Sequence, residues 1–292
     1  MNSIGIVTEE AADLPQDMAK KNGIGIVPVI LNWPELEKMT GDNTFQKMRE
    51  LDKRGIKSFG KTAQPTPNDF LLKFKESLKQ FNEVICITIS SKLSGSNNSA
   101  ILANKMLDQD SSGKIQVIDS LNASCSQALV VLKAIDLIKS GKKAPEIVKE
   151  LKNFIPTIHL FVMFEDPKWL EASGRISHAV GSLMKGMFRV KVRPVLTMKN
   201  GSLVPAGLKT RVKNLADAIF AQLHKDVEKL RKAGERIRVA IVHGDDPDGA
   251  QSLREKIEEQ LENAEVAFIN IINNVVGAPT GPGTLGVAWC KV

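Results

Sequence analysis

Five short segments hold most of the polar side chains that follow apolar runs: residues 8–15, 61–70, 90–97, 174–177 and the glycine-rich GAPTGPGTLG of residues 277–286. In the third, Ser90, Ser91, Ser94 and Ser96 surround Gly95 where the run VICITI gives way to a helix signal. In the second, Thr62 stands just ahead of a Thr66-Pro67 helix start. Arg175 follows a glycine in the fourth, and Thr280 lies inside the last. Hydroxyls beside helix N-termini receive anions, and an arginine adds a charge-assisted, bidentate-capable donor. Any one Ser or Thr at such a place reads more readily as a cap, and a lone Arg as a solvated charge. Several such loops together point to a carboxylate or a phosphate.

Catalytic machinery is not visible beside these hydroxyls. A serine nucleophile needs a base within reach and a group that orients the base. The four histidines, His159, His178, His224 and His243, fall in no nucleophile motif, and only His178 lies near a candidate loop. Ser94 sits in LSGSN rather than G-x-S-x-G. No Walker A loop, G-x-G-x-x-G or metal-ligand spacing occurs, so neither a cofactor nor a metal is expected. The pattern is that of a receiving pocket.

In a parallel α/β sheet, ligands bind outside the carboxyl ends of the strands, so the elements bearing these loops matter. Apolar β-branched runs begin at Ile4, Ile24, Val84, Ile115 and His159 and alternate with helical stretches, which reads as βαβ units. Beyond them, RPVLTMKNGSLVPAGLKTR reads as strand, Asn-Gly turn, strand. Val212, Leu215, Ala216, Ile219, Phe220, Leu223, Val227 and Leu230 form one helix face. Asp246-Pro247 opens a second helix, with Ala250, Leu253, Ile257 and Leu261 inward. The expectation is an α/β protein of two domains. Residues 1–165 form a doubly wound, mostly parallel sheet, and residues 166–292 a mixed sheet with helices on one face.

The chain has 292 residues with a net charge of +7, and its basic residues are interleaved with acidic ones. Tyr is absent and aromatics are few, so no stacking platform for single strands is present, and nucleic acid is not the expected partner. No run of about 18 apolar residues predicts a membrane span. The N-terminus lacks the pattern of a signal peptide, and three scattered cysteines predict neither a disulfide framework nor a metal site. A cytoplasmic protein is expected.

Six segments in order resemble the DegV family. KTAQPTPNDF matches its Lys-Thr-Ser-Gln-Pro-Ser-Pro segment and ISSKLSGSNNSA its Leu-Ser-Gly-Thr segment. VIDS, LEASGRIS, VRPVLTMKNGSLVPAGLKTR and GAPTGPGTLGVA match the remaining landmarks, across nearly the whole chain. The resemblance implies a two-domain α/β protein that buries a long-chain fatty acid between its domains. Like several members, it would serve as the acyl-binding subunit of a bacterial fatty acid kinase and would not itself be an enzyme. It implies that Thr62 and Ser94 bind the carboxylate, with Gly95 and Ser96 beside them and Arg175 and Thr280 nearby. The glycine-rich loop would let backbone approach the head group. Lys209 and Arg211 would face the kinase.

The chain departs from the family pattern at the head group. Pro279 stands where the family has a histidine, Glu9-Glu10-Ala11 where it has Asp-Ser-Thr, Ala63 for a serine and Ser96 for a threonine. A carboxylate of Glu9 or Glu10 turned inward would repel a bound acid unless a cation compensates. Val180, Leu183, Met184, Met187 and Phe188 share a helix face that could line an acyl tunnel or simply pack as core. Two rival readings accompany this one: a binding protein for a different amphiphile, and an enzyme domain related to the substrate domain of dihydroxyacetone kinases.

Overall fold

Twelve strands form among the residues that the computed structural model describes, which are 4–111, 113–176 and 178–292. They are β1 (Ile4–Glu9), β2 (Gly25–Val27), β3 (Ile30–Asn32), β4 (Lys61–Ala63), β5 (Glu83–Thr88) and β6 (Ile115–Asp119). Then follow β7 (His159–Met163), β8 (Val192–Lys199), β9 (Ser202–Thr210), β10 (Ile237–His243), β11 (Ala264–Ile271) and β12 (Leu285–Lys291). The chain divides into two compact units. The first is Met1–Ile30, Ala63–Ile158 and Met198–Ser202; the second is Leu31–Thr62, His159–Thr197 and Leu203–Val292. The main passage between them falls after Ile158 and two further segments cross it, so neither unit is one contiguous stretch.

The first unit is built on the sheet β2-β1-β5-β6, parallel throughout. Side chains alternate across a strand, and β1 uses both faces. Val7 joins Phe70, Leu71 and Phe74 of the helix Pro67–Leu78 and Ala100 and Ala103 of the helix Ser96–Lys105. Thr8, turned the other way, meets Gln127 of the helix Ser124–Lys139. Helices therefore cover both faces, as expected of a doubly wound sheet. Because β2 lies on one side of β1 and β5 on the other, the winding reverses between β1 and β5, the usual ligand position in such sheets.

The run that begins at Ile24 does not make the single strand its composition suggests. Pro28 has no N–H to give a ladder, and the run breaks there into β2, paired with β1, and β3, paired with β4.

The second unit carries the mixed sheet β11-β10-β12-β7-β8-β9. Its β10 and β11 are parallel, while β12 runs antiparallel to both β10 and β7. Asn200 and Gly201 both take positive φ, 50° and 83°, which is what a two-residue hairpin turn requires. The helices Leu215–Lys232 and Pro247–Gln260 pack on one face through Ala216, Ile219, Leu223, Val227, Ala250, Leu253 and Ile257. These are the residues that the 3.6-residue spacing selects. Among the described residues, no helix is long and apolar enough to cross a membrane.

The helix Pro67–Leu78 begins with a reciprocal cap: Asp69 N–H donates to Thr66 Oγ1 at 3.2 Å and Thr66 N–H to Asp69 Oδ2 at 2.7 Å. Thr66→Ala is expected to lower stability by about 1 kcal/mol. Urea unfolding measures this, and an unshifted midpoint would mean that solvent replaces the cap at no cost.

Candidate functional site

The switch edge of the first unit gathers Ser94, Gly95 and Ser96 around a buried carboxyl group. Glu9 is the last residue of β1 and faces the same side as Val7, toward the helix Ser96–Lys105. It is 1% exposed. Its Oε1 accepts the Ile89 N–H at 2.9 Å and its Oε2 the Ser96 hydroxyl at 2.6 Å. Ser96 and Ser94 place their Oγ atoms 2.9 Å apart, and Ser96 N–H donates to Ser94 Oγ at 3.2 Å. Burial raises the pKa of Glu9, opposed by the hydrogen bonds from Ser96 and Ile89. Of the two acids flagged in the sequence, Glu9 points inward. The exposed Glu10 instead accepts Val29 N–H at 3.0 Å.

Gly95 lies against the end of the Gln64 side chain. A Cβ there would lie 1.9 Å from Oε1 of Gln64, whose Nε2 donates to Ser99 Oγ at 3.1 Å. Gln64 belongs to the KTAQP stretch, yet composition alone gave no reason to place it against Gly95.

In the second unit, Thr62 of β4 meets Arg175. The guanidinium donates to Thr62 Oγ1, and its other arm donates to the Ser173 carbonyl at 3.1 Å. Burial lowers the Arg175 pKa, and among the described residues no carboxylate pairs with it. Since Thr62 Oγ1 accepts from Arg175, the hydroxyl proton is left for another acceptor. Ser177, which completes the Gly-Arg-Ile-Ser loop, lies outside the described residues.

Thr280 ends the helix Asn274–Thr280 and donates its hydroxyl to Val276 O at 2.8 Å, within its own helix. The glycines around it have protein neighbours. A Cβ at Gly277 would lie 2.6 Å from the Phe45 ring, one at Gly281 2.1 Å from Trp169, and one at Gly283 1.8 Å from Glu165 Oε2. These three glycines thus leave room for side chains of the same unit. Arg49 holds Glu165 in a two-point ion pair at 2.8 and 3.2 Å, a contact that no sequence motif announced. On the helix His178–Arg189, Met184 is buried and Phe188 lies under Arg193 at 4.2 Å; Leu183 is outside the side chains described.

His159 pairs with Asp226 at 3.0 Å and stacks on Trp289, and His243 Nδ1 accepts the Asp246 N–H at 3.1 Å. Among the described residues, no serine or threonine is hydrogen-bonded to a histidine. Nor do any three His, Cys, Asp or Glu side chains gather to hold a metal.

Compared with known proteins, the sequence matches the family described as "Uncharacterised protein, DegV family" over residues 3–292. The chain belongs to the DegV family. It is 29% identical to Protein DegV of Bacillus subtilis over 300 residues, covering 99% of each chain. The structure is similar to a DegV family protein from Thermus thermophilus described for fatty acid binding, with a TM-score of 0.81, 26% identity and 99% and 100% of the two chains covered. It is also similar to the crystal structure of DegV from Bacillus subtilis, described as a fatty acid binding protein, with a TM-score of 0.79, 25% identity and full coverage of both chains. The α/β architecture of two sheets, one parallel and one mixed, is thus the DegV architecture.

Within this DegV chain, Gly281 combines φ +82° and ψ 169° with contact to Trp169. Gly281→Ala would meet both the conformational cost and the ring. A loss of about 2–5 kcal/mol is expected by chemical denaturation, and a change under 1 kcal/mol would show that the loop repacks freely.

Proposed function

We propose that this chain binds a long-chain fatty acid and presents its carboxylate to a separate fatty acid kinase, without turning it over itself. Thr62 and Ser94 receive the carboxylate, with Arg175 as the cation and Gly95, Ser96 and Thr280 around them. The observation that carries this reading is Arg175: a half-buried guanidinium that has no acidic partner among the described residues, and that leaves the Thr62 hydroxyl proton for another acceptor, is suited to an anion. DegV proteins solved from Thermus thermophilus and Bacillus subtilis bind fatty acids, which supports an acid of the same class here. Thr280 takes the smaller part, since its own proton is committed to Val276 O.

The energetics divide between the two ends of such a ligand. Each buried methylene contributes about 0.8 kcal/mol, so the acyl chain supplies most of the affinity. Hydrogen bonds to a charged group contribute about 1.5–3 kcal/mol each, which is enough to select the head group. One observation favours a second reading: Glu9 stands one hydroxyl away from Ser94, and an ionised acid there suits an amphiphile with a hydroxyl head.

Native mass spectrometry of the purified protein, followed by organic extraction, separates the two. A stoichiometric fatty acid supports the first, and a neutral amphiphile the second. Thr62→Ala with Ser94→Ala is expected to weaken fatty acid binding by a hundredfold or more, from about tenfold or more for each lost bond. Unchanged affinity overturns this placement of the carboxylate. Acyl phosphate should form only when a kinase and ATP are added, and turnover by the chain alone revives the enzyme reading.

A further inference from the structure

Glu9, Ser96 and Ser94 are linked in series by hydrogen bonds of 2.6 Å and 2.9 Å, from a buried carboxyl to the hydroxyl assigned to the ligand. A chain of hydroxyls can point its protons only one way at a time. If Glu9 is ionised, Ser96 donates to it, Ser94 donates to Ser96, and Ser94, which also accepts the Ser96 N–H, has only a lone pair left to turn outward. A carboxylate would then meet oxygen with no proton between. If Glu9 is a neutral acid, it donates to Ser96, Ser96 donates to Ser94, and the Ser94 proton is free for the ligand.

We propose that Glu9 is a positioning residue for the head group, holding a proton that sets the direction of the Ser96–Ser94 chain and so admits a carboxylate at Ser94. The inference rests on reading Ser94 as a head-group donor. One proton is gained by Glu9 for each carboxylate that enters when Glu9 starts ionised, and the charge of the pair stays at minus one.

The surroundings suit a neutral acid. Burial favours the uncharged form of Glu9. On β5 the titratable group facing it is Cys86, a fully buried thiol whose own pKa burial and Glu9 push well up. On β2, Val27 is its register partner, and the helix Pro67–Leu78 turns Phe70, Leu71 and Phe74 inward. The helix Ser96–Lys105 presents Ser96, and the helix Ser124–Lys139 presents Gln127 to Thr8 on the opposite face. Among the described residues, no cation pairs with Glu9.

The sign follows from this. A raised pKa means that the proton is present at low pH and lost as pH rises through the shifted value. Affinity for a carboxylate then falls tenfold per pH unit above that point. In Glu9→Gln the Ile89 N–H fixes the amide oxygen on its side, so the amide NH₂ faces Ser96 and the chain stays in the admitting direction at every pH.

The experiment measures palmitate affinity from pH 6 to pH 9.5 for the wild type, Glu9→Gln and Ser96→Ala. The wild type is expected to weaken with rising pH, while Glu9→Gln stays flat and binds at least tenfold more tightly than the wild type at the alkaline end. Ser96→Ala, which removes the hydroxyl that links Glu9 to Ser94 and leaves the carboxyl in place, also loses the slope and serves if Glu9→Gln does not fold. Parallel profiles in wild type and variants, sloping or flat, overturn the proposal while leaving the lipid reading in place. Absence of palmitate uptake by all three removes the lipid reading and this inference with it.

Discussion

Where parallel strands end, backbone N–H groups lose their ladder partners and must find others. In the first unit, acidic side chains meet that need. Glu9 accepts from Ile89, Glu10 from Val29, and Asp119 from both Ser91 and Leu121. The loops after β2, β5 and β6 are therefore tied down by acids at the edge where such sheets bind ligands. The tie has a chemical consequence. Glu9 cannot swing out to water without abandoning Ile89, so it stays buried beside Ser96, and its protonation state becomes a property of the site.

In the second unit, the constraint is steric. Glycines at 277, 281 and 283 leave room for Phe45, Trp169 and Glu165, and Arg49 then locks Glu165. Phe45 and Arg49 belong to a segment that lies early in sequence. Asn43 adds a bond to Asp245 at 2.8 Å, Thr44 one to Asn274 at 2.6 Å, and Lys168 one to Asp52 at 2.6 Å. These ties explain why Leu31–Thr62 folds with the later part of the chain. Thr62 closes that segment, and Arg175 holds it. The glycine-rich loop thus helps to fix the segment that carries Thr62.

The parts of this arrangement written in local pattern were legible in the sequence. The apolar faces of the helices Leu215–Lys232 and Pro247–Gln260, the Asn-Gly hairpin and the Thr66-Pro67 helix start all follow from spacing or turn chemistry over a few residues. The break at Pro28 was present but was outweighed by the apolar run around it. What was not legible involves partners far apart in sequence. Arg49 and Glu165 are 116 residues apart, and Gln127 and Thr8 119. No periodicity links such pairs; only the fold does. Glu9 lies between these extremes, since its departure from the family pattern was visible while its direction required the register of β1.

The same departure bears on how the head-group site balances its donors. A carboxylate presents two oxygens that each accept more than one hydrogen bond. Where the family resemblance places a histidine, this chain has Pro279, which has neither a side-chain donor nor an N–H. Thr280 next to it has already turned its proton inward. On the proposed reading, the donors left are the Thr62 hydroxyl, the Arg175 guanidinium and the Ser94 hydroxyl, and the last is a donor only while Glu9 keeps its proton. A site with a further imidazole donor would tolerate a reversed Ser94. In this chain one donor has been removed and another made conditional, so the proton on Glu9 weighs more in the choice between a carboxylate and a hydroxyl head than it would in a site that kept its histidine.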